Sequence, residues 1–300
     1  MKTAVIDVGG GMRGMYAAGV LDACLEDHVR FDLAIGISAG SANVASYIAG
    51  QLGRNYMFYR EYSGRPEYMS MDNFFKTGSM INMDYIYSTL SNSDGEYPLD
   101  FEAFDASDQE MIVVATNAIT GKPAYFNRSW LRENEYDIFK ASCSIPVVNH
   151  PYMIAGVPFF DGALSDPIPL DKAFELGAEK VVLILTKPSD VDRKALKDVT
   201  LAFFMKHYPS AAEGLRSRAD RYNQVVARAK ELEKEGKVLI VAPDDTCGVD
   251  TLERNPQNLH RLYLKGFLDG MKIKDFIAAP LKEPAKAESE SSRQEESAKR

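Results

Sequence analysis

The chain is predicted to be an α/β protein built on a mostly parallel sheet covered on both faces. Three observations carry this expectation. Continuous apolar runs such as Val181-Val182-Leu183-Ile184-Leu185 and Val238-Leu239-Ile240-Val241 read as strands buried on both sides. Helical patterns fall between such runs, and alternating strands and helices pack as a parallel sheet with a helical layer on each face. With 300 residues, 45% of them hydrophobic, the chain can bury one large core. Strands are expected at 3–8, 32–37, 111–116, 181–186 and 237–241, and helices at about 13–28, 39–53, 129–141, 168–177, 212–235 and 256–270.

The first strand, Thr3-Ala4-Val5-Ile6-Asp7-Val8, runs into Gly9-Gly10-Gly11-Met12-Arg13-Gly14 and then a helix. Three consecutive glycines leave backbone N–H groups uncovered by side chains, and the following helix adds its positive end, so the loop reads as an anion site. In acyl transfer that anion is the oxygen of a tetrahedral intermediate. The competing readings are plain tight-turn glycine and, less strongly, a dinucleotide cradle with Gly9, Gly11 and Gly14 in Gly-x-Gly-x-x-Gly spacing and Asp32 as its acidic residue. The loop lacks the Lys-Ser/Thr ending of a Walker loop.

The second strand, Phe31-Asp32-Leu33-Ala34-Ile35, leads through Gly36-Ile37-Ser38-Ala39-Gly40 into a small-residue helix starting Ser41-Ala42-Asn43-Val44-Ala45. A serine on a strand-to-helix turn occupies a tight, exposed backbone position that only small neighbours such as Gly36 and Gly40 tolerate. The helix N-terminus beyond it favours developing negative charge. Ser38 is therefore a candidate nucleophile.

Between this helix and the third strand, residues 54–105 are crowded with Met and aromatic side chains, among them Tyr59, Tyr68, Met69, Met83 and Tyr87. Such side chains make adaptable apolar walls, and the segment reads equally as a lid or acyl pocket and as core packing. Further on, Phe159-Phe160-Asp161-Gly162-Ala163 ends an apolar stretch with a carboxylate. Desolvation raises the pKa of such a group and suits it to general-base work, whereas an Asx turn at Gly162 is the plainer reading.

The order Gly-Gly-Gly-Met-Arg-Gly, Gly-Ile-Ser-Ala-Gly, Asp-Gly-Ala resembles the patatin-like phospholipase family, particularly its bacterial members. Lys140-Ala141-Ser142-Cys143-Ser144-Ile145-Pro146 resembles the family's small-residue segment upstream of its catalytic aspartate. The resemblance covers most of residues 1 to about 190 and departs at Val8 and Ala163, neither of which supplies a reacting group. It implies a three-layer α/β/α fold and a Ser-Asp dyad. It also implies Ser38 as nucleophile, Asp161 as base and the Gly9–Gly14 loop (Gly9, Gly10, Gly11, Met12, Arg13, Gly14) as oxyanion hole. The implied substrate is a lipid ester, with no metal and no cofactor. An acyltransferase or thioesterase with the same dyad, and a non-catalytic lipid-binding protein, are the alternatives.

Rival site residues have weaker contexts. His28, His207 and His260 read as surface or packing residues, and His150 is the one near Asp161 in sequence. Cys24, Cys143 and Cys247 lack an elbow and form an odd set without a disulfide framework. Asp244-Asp245 is a poor cation site by itself. A net charge of −8 argues against nucleic acid and against tight binding to anionic membranes. No apolar run reaches the roughly 18–20 residues that span a bilayer, and no signal peptide is evident. The expectation is a cytoplasmic enzyme with transient membrane contact, a single domain over 1–281, and a disordered charged tail over 282–300.

Overall fold

The computed structural model describes residues 1–281; the tail expected to be disordered lies outside the described residues. Eight strands form one sheet: β1 (Thr3–Asp7), β2 (Leu33–Ile37), β3 (Glu110–Asn117), β4 (Pro123–Asn127), β5 (Tyr152–Ile154), β6 (Val157–Asp161), β7 (Lys180–Ile184) and β8 (Val238–Val241). The order is β5-β6-β3-β2-β1-β7-β8, with β4 also paired to β3. The five expected strands pair in parallel, while β4, β5 and β6 join antiparallel. The sheet is therefore mixed and mostly parallel.

The helices are α1 (Gly14–Glu26), α2 (Ala39–Ile48), α3 (Arg54–Arg60), α4 (Met71–Thr77), α5 (Phe101–Ala106), α6 (Asp137–Ser142), α7 (Leu170–Glu175), α8 (Leu196–Ala202), α9 (Pro209–Lys234), α10 (Pro256–Gly270) and α11 (Ile273–Ala278). Strand side chains alternate between two cores, as the period of two demands. Val5, Ala34 and Val182 pack with α1, α2 and α10 residues such as Tyr16, Val44 and Leu262. Ala4, Ile35 and Leu183 pack with α7 and α9 residues such as Ala173 and Tyr222. These are the three layers α/β/α.

Two expectations are corrected here. The helix expected over 129–141 is a short turn at Arg128–Trp130 and then α6, which begins only at Asp137. The apolar stretch that ends at Asp161 is two strands, β5 and β6, paired as a hairpin because Ala155 and Gly156 both turn into left-handed conformation (φ 48° and 79°).

Small residues bring α1 and α10 into backbone contact. A Cβ on Gly19 would lie 2.1 Å from the Tyr263 carbonyl oxygen, and one on Gly266 2.0 Å from that of Tyr16. Beside this seam Asp22 is 1% exposed, accepting from the Tyr263 hydroxyl (2.8 Å) and the Gly53 N–H (3.2 Å). Burial raises its pKa from 3.8 to about 6 despite both donors. The folded chain thus binds a proton more readily than the unfolded chain, and stability falls as pH rises through that window. Asp22→Asn is expected to remove this loss, for a relative gain of up to about 3 kcal/mol at about pH 8 over about pH 4. Urea unfolding of both proteins at the two pH values checks it.

Candidate active site

Strand register brings the two central residues together. β2 ends at Ile37, opposite Val114 of β3. Residues Ile112 to Val114 pair with both β2 and β4, so those strands occupy opposite edges of β3. Ala115 and Thr116 are shared by β4 and β6, which puts β6 on the β2 edge, taking it over where β2 stops. Asp161, opposite Ala115, therefore lies one step beyond Ile37, where the chain turns through Ser38.

Ser38 caps α2 with φ 54° and ψ −134°, a conformation costly for a residue with a Cβ. The surroundings hold it there. Its N–H donates to Ser142 Oγ (2.8 Å), and the Ser142 hydroxyl donates to the Val114 carbonyl (2.6 Å). The Ser41 hydroxyl donates to the Ser38 carbonyl (2.6 Å). Gly36 and Gly40 are needed for close approach, since their Cβ atoms would lie 2.4 Å from Ser41 Cα and from the Asp7 carbonyl oxygen.

Asp161 is 5% exposed and its Oδ1 accepts from the Ala163 N–H (2.9 Å). Burial raises its pKa, while that N–H, the facing Ser38 hydroxyl and the charges of Arg218 and Arg193 pull it back down. Cys143 lies beside Ser38 in the same cleft, but burial pushes its thiol up to about 12 and keeps it neutral.

The glycine loop narrows the expected donor set. The Gly9 N–H is taken by Asp7 Oδ1 (2.8 Å), the Met12 N–H by the Thr251 carbonyl (2.9 Å), and the Gly14 N–H by the carbonyls of Gly11 and Met12. Gly10 and Gly11 are left with N–H groups that have no partner among the described residues. Arg13 contributes a side-chain tie: its Nη1 donates to Asp250 Oδ1 (2.6 Å) and Thr251 Oγ1 (2.9 Å). Beneath the loop, Asp7 accepts from Asn43 Nδ2 (2.8 Å), and Asn43 Oδ1 accepts from the Tyr59 hydroxyl (3.1 Å). Burial raises Asp7 to about 6. The sequence assigned no role to Asp7 or to Ser142 within its small-residue segment, because their partners Asn43 and Ser38 lie 36 and 104 residues away.

Several rivals lie elsewhere. Asp32 precedes β2 at the far end of the sheet from the loop, bonded to the Thr3 N–H (2.7 Å). That placement removes the dinucleotide reading. His28, His150, His207 and His260 are exposed; His150 donates its N–H to Ser79 Oγ, and His260 Nδ1 meets the Tyr56 hydroxyl (2.8 Å). Asp244 and Asp245 both accept from Lys265 Nζ.

Ser38 opens into an apolar cleft bounded by Gly11 and Met12 of the loop, Cys143, Ile145 and Leu252, with Tyr68, Met69 and Met83 from 54–105. α4, between Met69 and Ile81 at this rim, leaves Met71, Phe74 and Phe75 in solvent. Among the described residues no helix is long and apolar enough to cross a membrane.

Residues 8–174 match the family model described as patatin-like phospholipase, and residues 208–281 match DUF6363, a domain of unknown function. The uncharacterized protein YjjU of Escherichia coli K12 is 30% identical over 196 residues, covering 63% of this chain and 53% of that protein. The chain thus spans about half the length of this relative. The crystal structure of VipD from Legionella pneumophila is similar in fold, with a TM-score of 0.51 at 15% identity over 91% of this chain and 66% of VipD. With the matched model spanning more than half of its length, the chain belongs to the patatin-like phospholipase family, a family of lipid acyl hydrolases.

Proposed function

We propose that the protein is a serine lipid acyl hydrolase working through a Ser38–Asp161 dyad. The observation that carries this reading is the takeover of one β3 edge by β6, which puts a buried carboxylate against a serine on a strand-to-helix turn. Asp161 takes the Ser38 proton as Ser38 Oγ attacks the ester carbonyl. The N–H groups of Gly10 and Gly11 receive the oxyanion, backed by the start of the helix beyond them. Collapse expels the alcohol or lysolipid, which takes the proton from Asp161. Asp161 then removes a proton from water, whose oxygen attacks the acyl-enzyme carbonyl; the bond to Ser38 Oγ breaks, Ser38 takes that proton back from Asp161, and the fatty acid is freed.

The apolar cleft supports a lipid ester as substrate. The exposed Met71, Phe74 and Phe75 at its rim suit transient contact with a lipid surface, and 54–105 serves as the substrate-side insertion. Labelling with a lipid-like fluorophosphonate tests the reading. The adduct is expected on Ser38 by peptide mass spectrometry, lost in Asp161→Asn and retained in His150→Ala. Labelling that depends on His150 and not on Asp161 would overturn the dyad.

A further inference from the structure

Behind the cleft lies a second chamber that adjoins it across Ala39, Tyr59, Tyr68, Ile86 and Tyr87, on the side of the cleft away from Ser38. Apart from Asn43 and Asn55, most of its lining away from Arg54 is apolar or aromatic. Ala39, Ala42 and Ala45, small residues along α2, leave the space, and Phe58, Leu99 and Phe139 close it.

The far end is not what a plain hydrocarbon chain requires. Arg54 lines it, 4% exposed. Its guanidinium donates to neutral acceptors: the Pro98 carbonyl (3.2 Å), Ser46 Oγ (3.0 Å), Ser91 Oγ (2.9 Å) and the Tyr97 carbonyl (3.1 Å). It also lies over the Phe58 ring at 4.4 Å. No carboxylate among the described residues pairs with it, so its charge is buried without a counter-ion, an arrangement that proteins rarely leave uncompensated. Nη1 carries two protons and meets one acceptor, leaving one proton unspent. Beside it Tyr136, 2% exposed and lining the same chamber, makes no well-formed hydrogen bond. No described group accepts the Tyr136 hydroxyl proton. A buried cation and two unspent donors thus belong to residues that line a largely apolar chamber, and that chamber adjoins the cleft of Ser38.

We propose that this chamber receives the acyl chain of the substrate and selects chains that end in an anionic oxygen group, an ω-carboxyl acyl chain, over plain alkyl chains. The inference rests on the hydrolase reading above and names its substrate class. Length follows from α2. Ser46, which holds Arg54, is eight residues beyond Ser38, about 12 Å along the helix, so the carboxylate lies roughly eight to ten bonds from the scissile carbonyl.

The test compares kcat/KM for 4-nitrophenyl hydrogen sebacate, whose chain ends in carboxylate, with 4-nitrophenyl decanoate of equal length. The wild type is expected to favour the sebacate by about tenfold or more, because a site built with hydrogen-bond donors rejects an analogue that cannot fill them. Tyr136→Phe keeps the shape of the chamber and is expected to shrink that ratio several-fold; Arg54→Gln is expected to abolish it. A preference for decanoate, or a ratio unmoved by Tyr136→Phe, overturns the proposal. Should neither ester react and Ser38 take no fluorophosphonate, the nucleophile assignment fails instead. Calorimetric binding then decides for the chamber: methyl hydrogen sebacate binding more tightly than methyl decanoate, and less so in Tyr136→Phe, supports it, and equal binding overturns it.

Discussion

Ser38→Ala and Asp161→Asn are each expected to lower kcat/KM for ester hydrolysis by about four to six orders of magnitude, with the double variant little worse than either alone. In the proposed mechanism the two residues act as one unit, since a serine without its base is a poor nucleophile and a base without its serine has nothing to activate. Thermal stability separates this loss from misfolding. The folded pKa of Asp161 is raised by burial, so its ionised form costs stability above that pKa, and Asn removes the cost. Asp161→Asn is therefore expected to unfold at the same or higher temperature at neutral pH while losing activity. The wild-type rate should climb with pH as Asp161 loses its proton and then level off, because only the carboxylate accepts the Ser38 proton. A variant that unfolds early, or a rate that falls across the same range, would count against Asp161 as the base.

Gly10→Ala is expected to lower kcat by about two to three orders of magnitude, the range lost when an oxyanion donor is misplaced. Gly10 has φ 131°, outside the comfortable range of L residues, and its Cβ would lie 2.6 Å from Thr186 Oγ1. Thr186 cannot easily yield, because its hydroxyl donates to the Gly9 carbonyl (2.5 Å). The loop must shift and its free N–H groups with it. Gly50→Ala is the control: φ is 68° there, yet no atom lies within 4 Å of the added Cβ. It carries the backbone cost alone, so kcat should stay near wild type with only a small loss in melting temperature. Equal kcat losses in both variants would sink the oxyanion assignment.

The parallel half of the sheet was legible in the sequence because its strands are buried on both faces and read as unbroken apolar runs. β4 was not, since it opens on Pro123 and exposes Asn127, and β5 and β6 merged into one stretch that only the Ala155-Gly156 turn divides. At the candidate site, the serine turn, the glycine run and the Asp-Gly step are local patterns of small residues, and local patterns survive in a one-dimensional reading. What orients them is long-range. Ser142 is 104 residues from the Ser38 N–H it accepts from, and Asn43 is 36 from Asp7. The spending of the Met12 N–H on Thr251 was equally invisible, since no periodicity announces which amide meets a distant carbonyl.

That contact reaches further than one hydrogen bond. Met12 and Arg13, in the stretch matched to the patatin model, are clasped by Thr251 and Asp250, in the stretch matched to DUF6363. The seam between α1 and α10 repeats the pattern, glycine against backbone from either side. A fragment cut at residue 207 would keep Ser38 and Asp161 and lose the clasp on the glycine loop. A chimera that exchanges one stretch is therefore expected to regain function only when the other is exchanged with it.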